Sequence, residues 1–196
     1  MNFIKALFLL LLLPLQDRQE EVYQVNTEES TIHWTGKKVL GEHHGTLQLD
    51  EGSFRLENGQ LKGGNFTIDM RSLKNEDLEG DRREKLEDWL RSEEMFYTER
   101  YPYVRFTITS AEPSENSQRY RVEGALTIKE DTHSISFPAT IKLDENKVFV
   151  EAELSFDRTR WNLNYGSGGL IGGIGNFAIE DEVSVQINLQ AEAAVE

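Results

Sequence analysis

The chain contains no cysteine. This excludes a disulfide framework, a lipidated N-terminal cysteine and a thiol nucleophile. It also lacks a hydrophobic run suited to a membrane helix, because the apolar stretch Ala6 to Leu13 in MNFIKALFLLLLLPLQ falls short of the roughly 20 residues a bilayer requires. No Lys/Arg cluster offsets the formal charge of −14. Such an acidic surface repels nucleic acid, and nucleic-acid binding is discarded. Also missing are G-x-S-x-G, H-E-x-x-H and a Gly-Lys-Ser/Thr following the glycines, so the familiar hydrolase, zinc-protease and nucleotide-binding signatures do not apply.

What is present begins with Lys5 and the short apolar run behind it, which reads as a secretory signal peptide over residues 1–19. No small-residue A-x-A site marks the cut, which falls between Gln16 and Glu20. Loss of Lys5 takes the charge from −14 to −15. Residues 20–196 are the right length for one domain with a sizeable core.

From Thr31 onward apolar and polar residues alternate with period two, the mark of strands with one face inside. Eight such segments follow one another, beginning with those that carry Ile32 and Trp34, Leu47 and Leu49, and Phe66, Ile68 and Met70. The fourth and fifth hold Val104, Phe106 and Ile108, then Tyr120, Val122, Leu126 and Ile128. The last three run Ile135 to Leu143, Val148 to Phe156 and Val183 to Ala191. Turn residues at Glu57–Gln60, Pro113–Gln118, Lys129–His133 and Asp144–Lys147 punctuate them at hairpin spacing. Eight amphipathic strands in a meander predict an all-β antiparallel barrel, since closure buries one face and removes the edges. Helical periodicity occurs once, where Leu86, Trp89 and Leu90 recur at i, i+3, i+4. This amphipathic helix is inserted between the third and fourth predicted strands, across the side or mouth of the barrel.

Three local patterns resemble sites and are read as something plainer. His43 and His44 are adjacent, so in a strand they face opposite ways and cannot share one metal. Asn75 to Leu86 imitates a calcium loop, but position 12 is Leu86 and a strand precedes it; an acidic turn capping the helix is the reading adopted. Gly173 to Ala178 fits G-x-G-x-x-A within a glycine-rich segment, yet strand alternation rather than a helix resumes after it, and the match is taken as accidental.

The stretches YQVNTEESTIHWTGKKVLGEHHGTLQLDEGSF, LKGGNFTIDMRSLKNEDL, KLEDWLRSEEMFYTERYPYVRF, VEGALTIKEDTHSISFPATI and FDRTRWNLNYGSGG resemble the YceI-like family in order and spacing. The likeness runs from about Tyr23 to Ala191. Family positions fall on Gly41 to Gly45 with His43, on Leu86 and Phe96, on Tyr101–Pro102, and on Arg158 followed by Trp161. The resemblance implies an extended lipocalin-like barrel of eight strands with a helix packed on it. It implies export to the periplasm or beyond, frequent dimers, and a tunnel for a polyisoprenoid or similar long-chain amphiphile; transient membrane contact is a separate expectation. No cofactor, metal or catalytic residue is expected, and the chain is read as a binding or carrier protein rather than an enzyme.

The residues expected to touch the ligand are Phe66, Ile68 and Met70 on the third predicted strand, Val104, Phe106 and Ile108 on the fourth, and Leu126 on the fifth. Ile135, Phe137, Val150, Leu154, Val185 and Ile187 follow on the later strands. Trp34 and Trp89 are placed at the junction of helix and barrel, and Arg158 at a mouth. The segment Gly166–Gly175 is expected to act as a flap at one end of the tunnel. The alternative is a structural or interaction protein whose barrel is solidly packed, because periodicity alone does not separate a lined tunnel from a filled core.

Overall fold

The computed structural model describes residues 20–38, 40–114, 118–167 and 179–194. The signal-peptide expectation for 1–19 and all but the start of the expected flap lie outside these residues. The elements are β1 (Glu20–Val25), β2 (Thr31–Lys38), β3 (Glu42–Glu57), β4 (Gln60–Asn75), α1 (Gly80–Arg91), β5 (Tyr103–Pro113), β6 (Arg119–Ile128), β7 (Asp131–Asp144), β8 (Lys147–Asp157) and β9 (Ile179–Ala193). A 3₁₀ turn, Arg158–Trp161, follows β8.

All strand pairs are antiparallel, and β2–β3 through β8–β9 are sequential neighbours apart from the α1 insertion. Pairing of β2 with β9 closes the barrel. Nine strands occupy eight positions because β1 and β2 share one. β1 pairs with the end of β3 (Tyr23 opposite Phe54) and with the end of β9 (Tyr23 opposite Ala193), while β2 pairs with the start of each. The break between them is held by Asn26, whose side chain accepts the Glu28 and Glu29 amides while its carbonyl accepts the Ser30 hydroxyl.

Tight turns close one end of the barrel. Asn58 and Gly59, both at positive φ, join β3 to β4, as a two-residue hairpin requires. The opposite end carries the longer connections: α1 between β4 and β5, and the chain from the 3₁₀ turn to β9. α1 is tied to β4, with the Asn75 amide donating to Glu87 Oε1 at 2.8 Å and Arg91 donating to the Leu73 carbonyl. The acidic turn does stand at the helix start, with Glu79 at the N-cap and Asp81 in the first turn, but no side chain makes a capping hydrogen bond, and Asp77 is turned to β3. At that corner β3 and β4 approach so closely that a Cβ on Gly45 would lie 1.8 Å from the Lys74 carbonyl oxygen.

The inward faces match the alternation of the sequence. Val122, Leu126, Ile128, Phe137, Ile141, Val148, Val150 and Leu154 are buried, whereas Leu143, at the end of β7, is 42 % exposed. Buried apolar residues form two clusters rather than one. The larger lies toward the tight-turn end around Tyr23, Phe54, Leu61 and Val148; the smaller lies beneath α1 around Trp34, Met70, Leu90 and Trp161.

Candidate functional site

Inward strand residues such as Phe106, Ile135, Val185 and Ile187 are only partly buried although they point into the barrel. They face unfilled space. The interior holds a cavity of about 850 Å³, lined by residues from both clusters. Voids in packed protein interiors are rarely larger than a water molecule. A volume of this size belongs with ligand pockets, which run to about 1,000 Å³.

Every residue expected to touch the ligand lies on this wall. β4 contributes Phe66, Ile68 and Met70; β5 contributes Val104, Phe106 and Ile108; β6 and β7 contribute Leu126, Ile135 and Phe137. Val150, Leu154, Val185 and Ile187 complete the side formed by β8 and β9, and Trp34, Trp89 and Arg158 stand near the helix end. The α1 side adds Leu86, Leu90, Met95 and Phe96. Trp34 Nε1 is a buried donor without an acceptor among the described residues.

Arg158 has a more limited role than its charge suggests. It is 2 % exposed, and its guanidinium donates to the carbonyls of Glu180, Leu163 and Ile179 and to Asp181 at 3.4 Å. It therefore clasps the chain after the 3₁₀ turn to the start of β9, leaving little donor capacity for a ligand. Burial pushes its pKa down, opposed by Asp181 and Asp157.

The cavity reaches the surface beside α1, where two of its lining residues, Leu40 and Tyr165, are 63 % and 54 % exposed. Tyr165 meets Trp89 edge-on at 5.0 Å between ring centroids. The β2–β3 hairpin supplies Lys37, Lys38 and His43 to the same rim. Sequence reasoning assigned neither lysine there, although strict alternation puts Lys38 on the face of Ile32 and Trp34; only Lys37 falls on the opposite face. The β2–β9 register shifts between Gly36 and Lys38, and both come to line the cavity. Lys38 Nζ lies 2.9 Å from His43 Nε2, and His43 Nδ1 lies 2.7 Å from Asp77 Oδ2. Lys38 donates to the first nitrogen, so the second carries the proton and donates to the carboxylate.

Burial would raise the Asp77 carboxyl, but hydrogen bonds from the His44 amide, His43 and Asn75 outweigh it and hold the pKa at about 2. A carboxyl lowered on folding adds stability that is complete above its unfolded value and lost as pH falls through the folded one. Asp77→Asn is accordingly expected to lower the urea midpoint by a constant amount above about pH 5, a gap that closes as pH falls toward about 2. A gap unchanged by pH would refute the coupling.

Among the described residues no helix is long and apolar enough to cross a membrane, and no group of three or more His, Asp or Glu could hold a metal. Comparison with known proteins gives a match to the YceI-like domain over residues 23–191. No curated protein matches significantly. Among solved structures, the chain resembles Burkholderia cenocepacia BcnA with a TM-score of 0.62 at 20 % identity, over 85 % of this chain and 98 % of that one. It resembles a polyisoprenoid binding domain from Saccharophagus degradans, implicated in plant cell wall breakdown, with a TM-score of 0.62 at 17 % identity, over 88 % and 98 % of the two chains. A Campylobacter jejuni YceI protein aligns with a TM-score of 0.53 at 17 % identity, over 70 % and 75 %. At such identities the structural likeness speaks for the fold.

Proposed function

The chain belongs to the YceI-like family, and from that premise we propose that it is an exported carrier which holds the chain of a polyisoprenoid, or a similar long-chain amphiphile, inside the barrel. The observation that carries this is the apolar cavity of about 850 Å³ open beside α1. At roughly 30 Å³ per heavy atom, it accommodates on the order of thirty carbons. A bound of about 0.3 kcal/mol per heavy atom then allows micromolar binding or tighter. The affinity comes from the hydrocarbon chain. The likeness to a polyisoprenoid binding domain supports the same ligand class.

The reading is of a binding protein. His43 is engaged by Lys38 and Asp77, Arg158 by backbone carbonyls and Asp181, and no Ser or Thr lines the cavity among the described residues. The exposed Leu40 and Tyr165 at the mouth suit brief contact with a membrane during loading.

Native mass spectrometry of protein recovered from its own host tests the proposal, with a lipid adduct expected. Delipidated protein is then expected to take up prenyl alcohols with affinity that rises with chain length and levels off near about thirty carbons, the capacity set by the cavity. Absence of both adduct and uptake would restore the alternative of a barrel that carries nothing.

A further inference from the structure

The protein carries 35 acidic and 21 basic residues, yet no aspartate or glutamate lines the cavity among the described residues. Every charged group on the wall is cationic: Lys37, Lys38 and Arg158, with His43 as the remaining titratable side chain apart from Tyr165. This inverts the sign of the surface as a whole. Arg158 is engaged by its carbonyls, which leaves the lysines of the β2–β3 hairpin.

We infer that Lys38, supported by His43 and flanked by Lys37, binds an anionic phosphate headgroup at the mouth while the hydrocarbon chain occupies the cavity. The inference rests on the carrier reading and narrows its ligand. Lys38 has no carboxylate within salt-bridge distance among the described residues. One of its three N–H donors goes to His43 Nε2 at 2.9 Å, which leaves two without a partner among the described residues. The contact with Asp77 fixes the His43 ring, so that Nε2 remains an acceptor and the ammonium is held at the rim rather than free in solvent. Asp77 itself is occupied by the His44 amide and Asn75. Two lysine charges beside an apolar opening match a phosphate monoester, which carries up to two negative charges near neutral pH. A neutral alcohol or quinone head gains nothing from them, so the arrangement selects by head after the cavity has selected by chain.

The test compares hexaprenyl phosphate with hexaprenol on delipidated full-length protein, with inorganic phosphate as a third probe. The phosphate ester is expected to bind about tenfold or more tightly than the alcohol, the effect of charge-assisted hydrogen bonds at a partly exposed site. The preference should shrink as ionic strength rises. Lys38→Met should bring the two affinities to within about twofold of each other, a ratio that misfolding does not produce because an unfolded barrel takes up neither lipid. Inorganic phosphate alone is expected to show no binding in the same range. Equal affinities in the unmodified protein, or a preference that survives Lys38→Met, would overturn the headgroup site and leave the carrier reading intact. Binding of inorganic phosphate as tight as that of the ester would make this a free-anion site instead. Failure of both lipids to bind would remove the carrier reading, and the headgroup site with it.

Discussion

Ala152→Phe is expected to leave the barrel as stable as before, or more so, while weakening prenyl-chain binding about twentyfold. Ala152 lies on β8 between Ala139 and Ile187 of its neighbours and lines the cavity. At roughly 30 Å³ per heavy atom, a phenyl ring there takes up about a fifth of the 850 Å³. In a well-packed interior such an insertion costs about 1–3 kcal/mol through strain. Here the ring enters open space and buries apolar surface, so no such cost arises. The ligand must give up the volume the ring takes. Six displaced carbons at about 0.3 kcal/mol each come to about 1.8 kcal/mol, or about twentyfold in affinity. Thermal unfolding and titration with a fluorescent prenyl probe measure the two halves separately. A clear fall in Tm would mean that the interior is filled, and an unchanged affinity would mean that the ligand lies elsewhere.

The largest loss of stability is expected at Trp161. Its side chain is fully buried at 0 % exposure behind the cavity wall, and its indole N–H donates to the Leu126 carbonyl at 3.1 Å. Phe156 and His133 meet the ring edge-on at 5.2 and 5.1 Å between centroids. Trp161→Ala removes this packing, for about 3–5 kcal/mol, and loses the indole hydrogen bond, for about 1 kcal/mol more. For a domain of this size, with about 2–4 °C per kcal/mol, Tm falls by roughly 10 °C or more. Trp161→Phe keeps most of the ring and loses the hydrogen bond, so its Tm should lie between the two. A similar Tm for the alanine and phenylalanine variants would show that the ring's bulk contributes little.

The barrel was legible because each inward residue repeats at period two, and Val104, Phe106 and Ile108 show the pattern as plainly in the sequence as in the structure. β1 was not anticipated, since only Tyr23 of its six residues is buried and its first residues are charged. β4 starts earlier than the alternation suggests. Gly63 and Gly64 interrupt the apolar pattern but lie within the strand, where a Cβ on Gly64 would sit 2.7 Å from the Ser53 carbonyl oxygen. The apolar strand face of the cavity wall was visible in the alternation, because an inward apolar side chain has the same periodicity whether it meets another side chain or open space. For that reason the emptiness itself was not visible. On the cationic rim Lys38 follows the alternation of Ile32 and Trp34 and was there to be read, whereas Lys37 is out of phase and reaches the wall where the β2–β9 register shifts between Gly36 and Lys38; His43 stood out in the Gly41–Gly45 segment. Arg158 was expected near a ligand; its partners prove to be carbonyls at the start of β9 and near Leu163, which only the folded chain brings together.

The shared position of β1 and β2 also governs how the protein can assemble. Both segments lie between β3 and β9, so the seam of the barrel joins the beginning of the domain to its end, with Thr31 opposite Asn188 and Tyr23 opposite Ala193. Hairpins from β3 to β8 pair locally and can form early, but the closing contacts carry the loop entropy of almost the whole domain. Until β9 arrives, one edge of β8 and the inward face of the sheet stay open to water. Closing the seam removes the last free edge and creates the enclosed cavity in the same step, so a chain truncated before β9 would lack the compartment itself and not merely one wall of it.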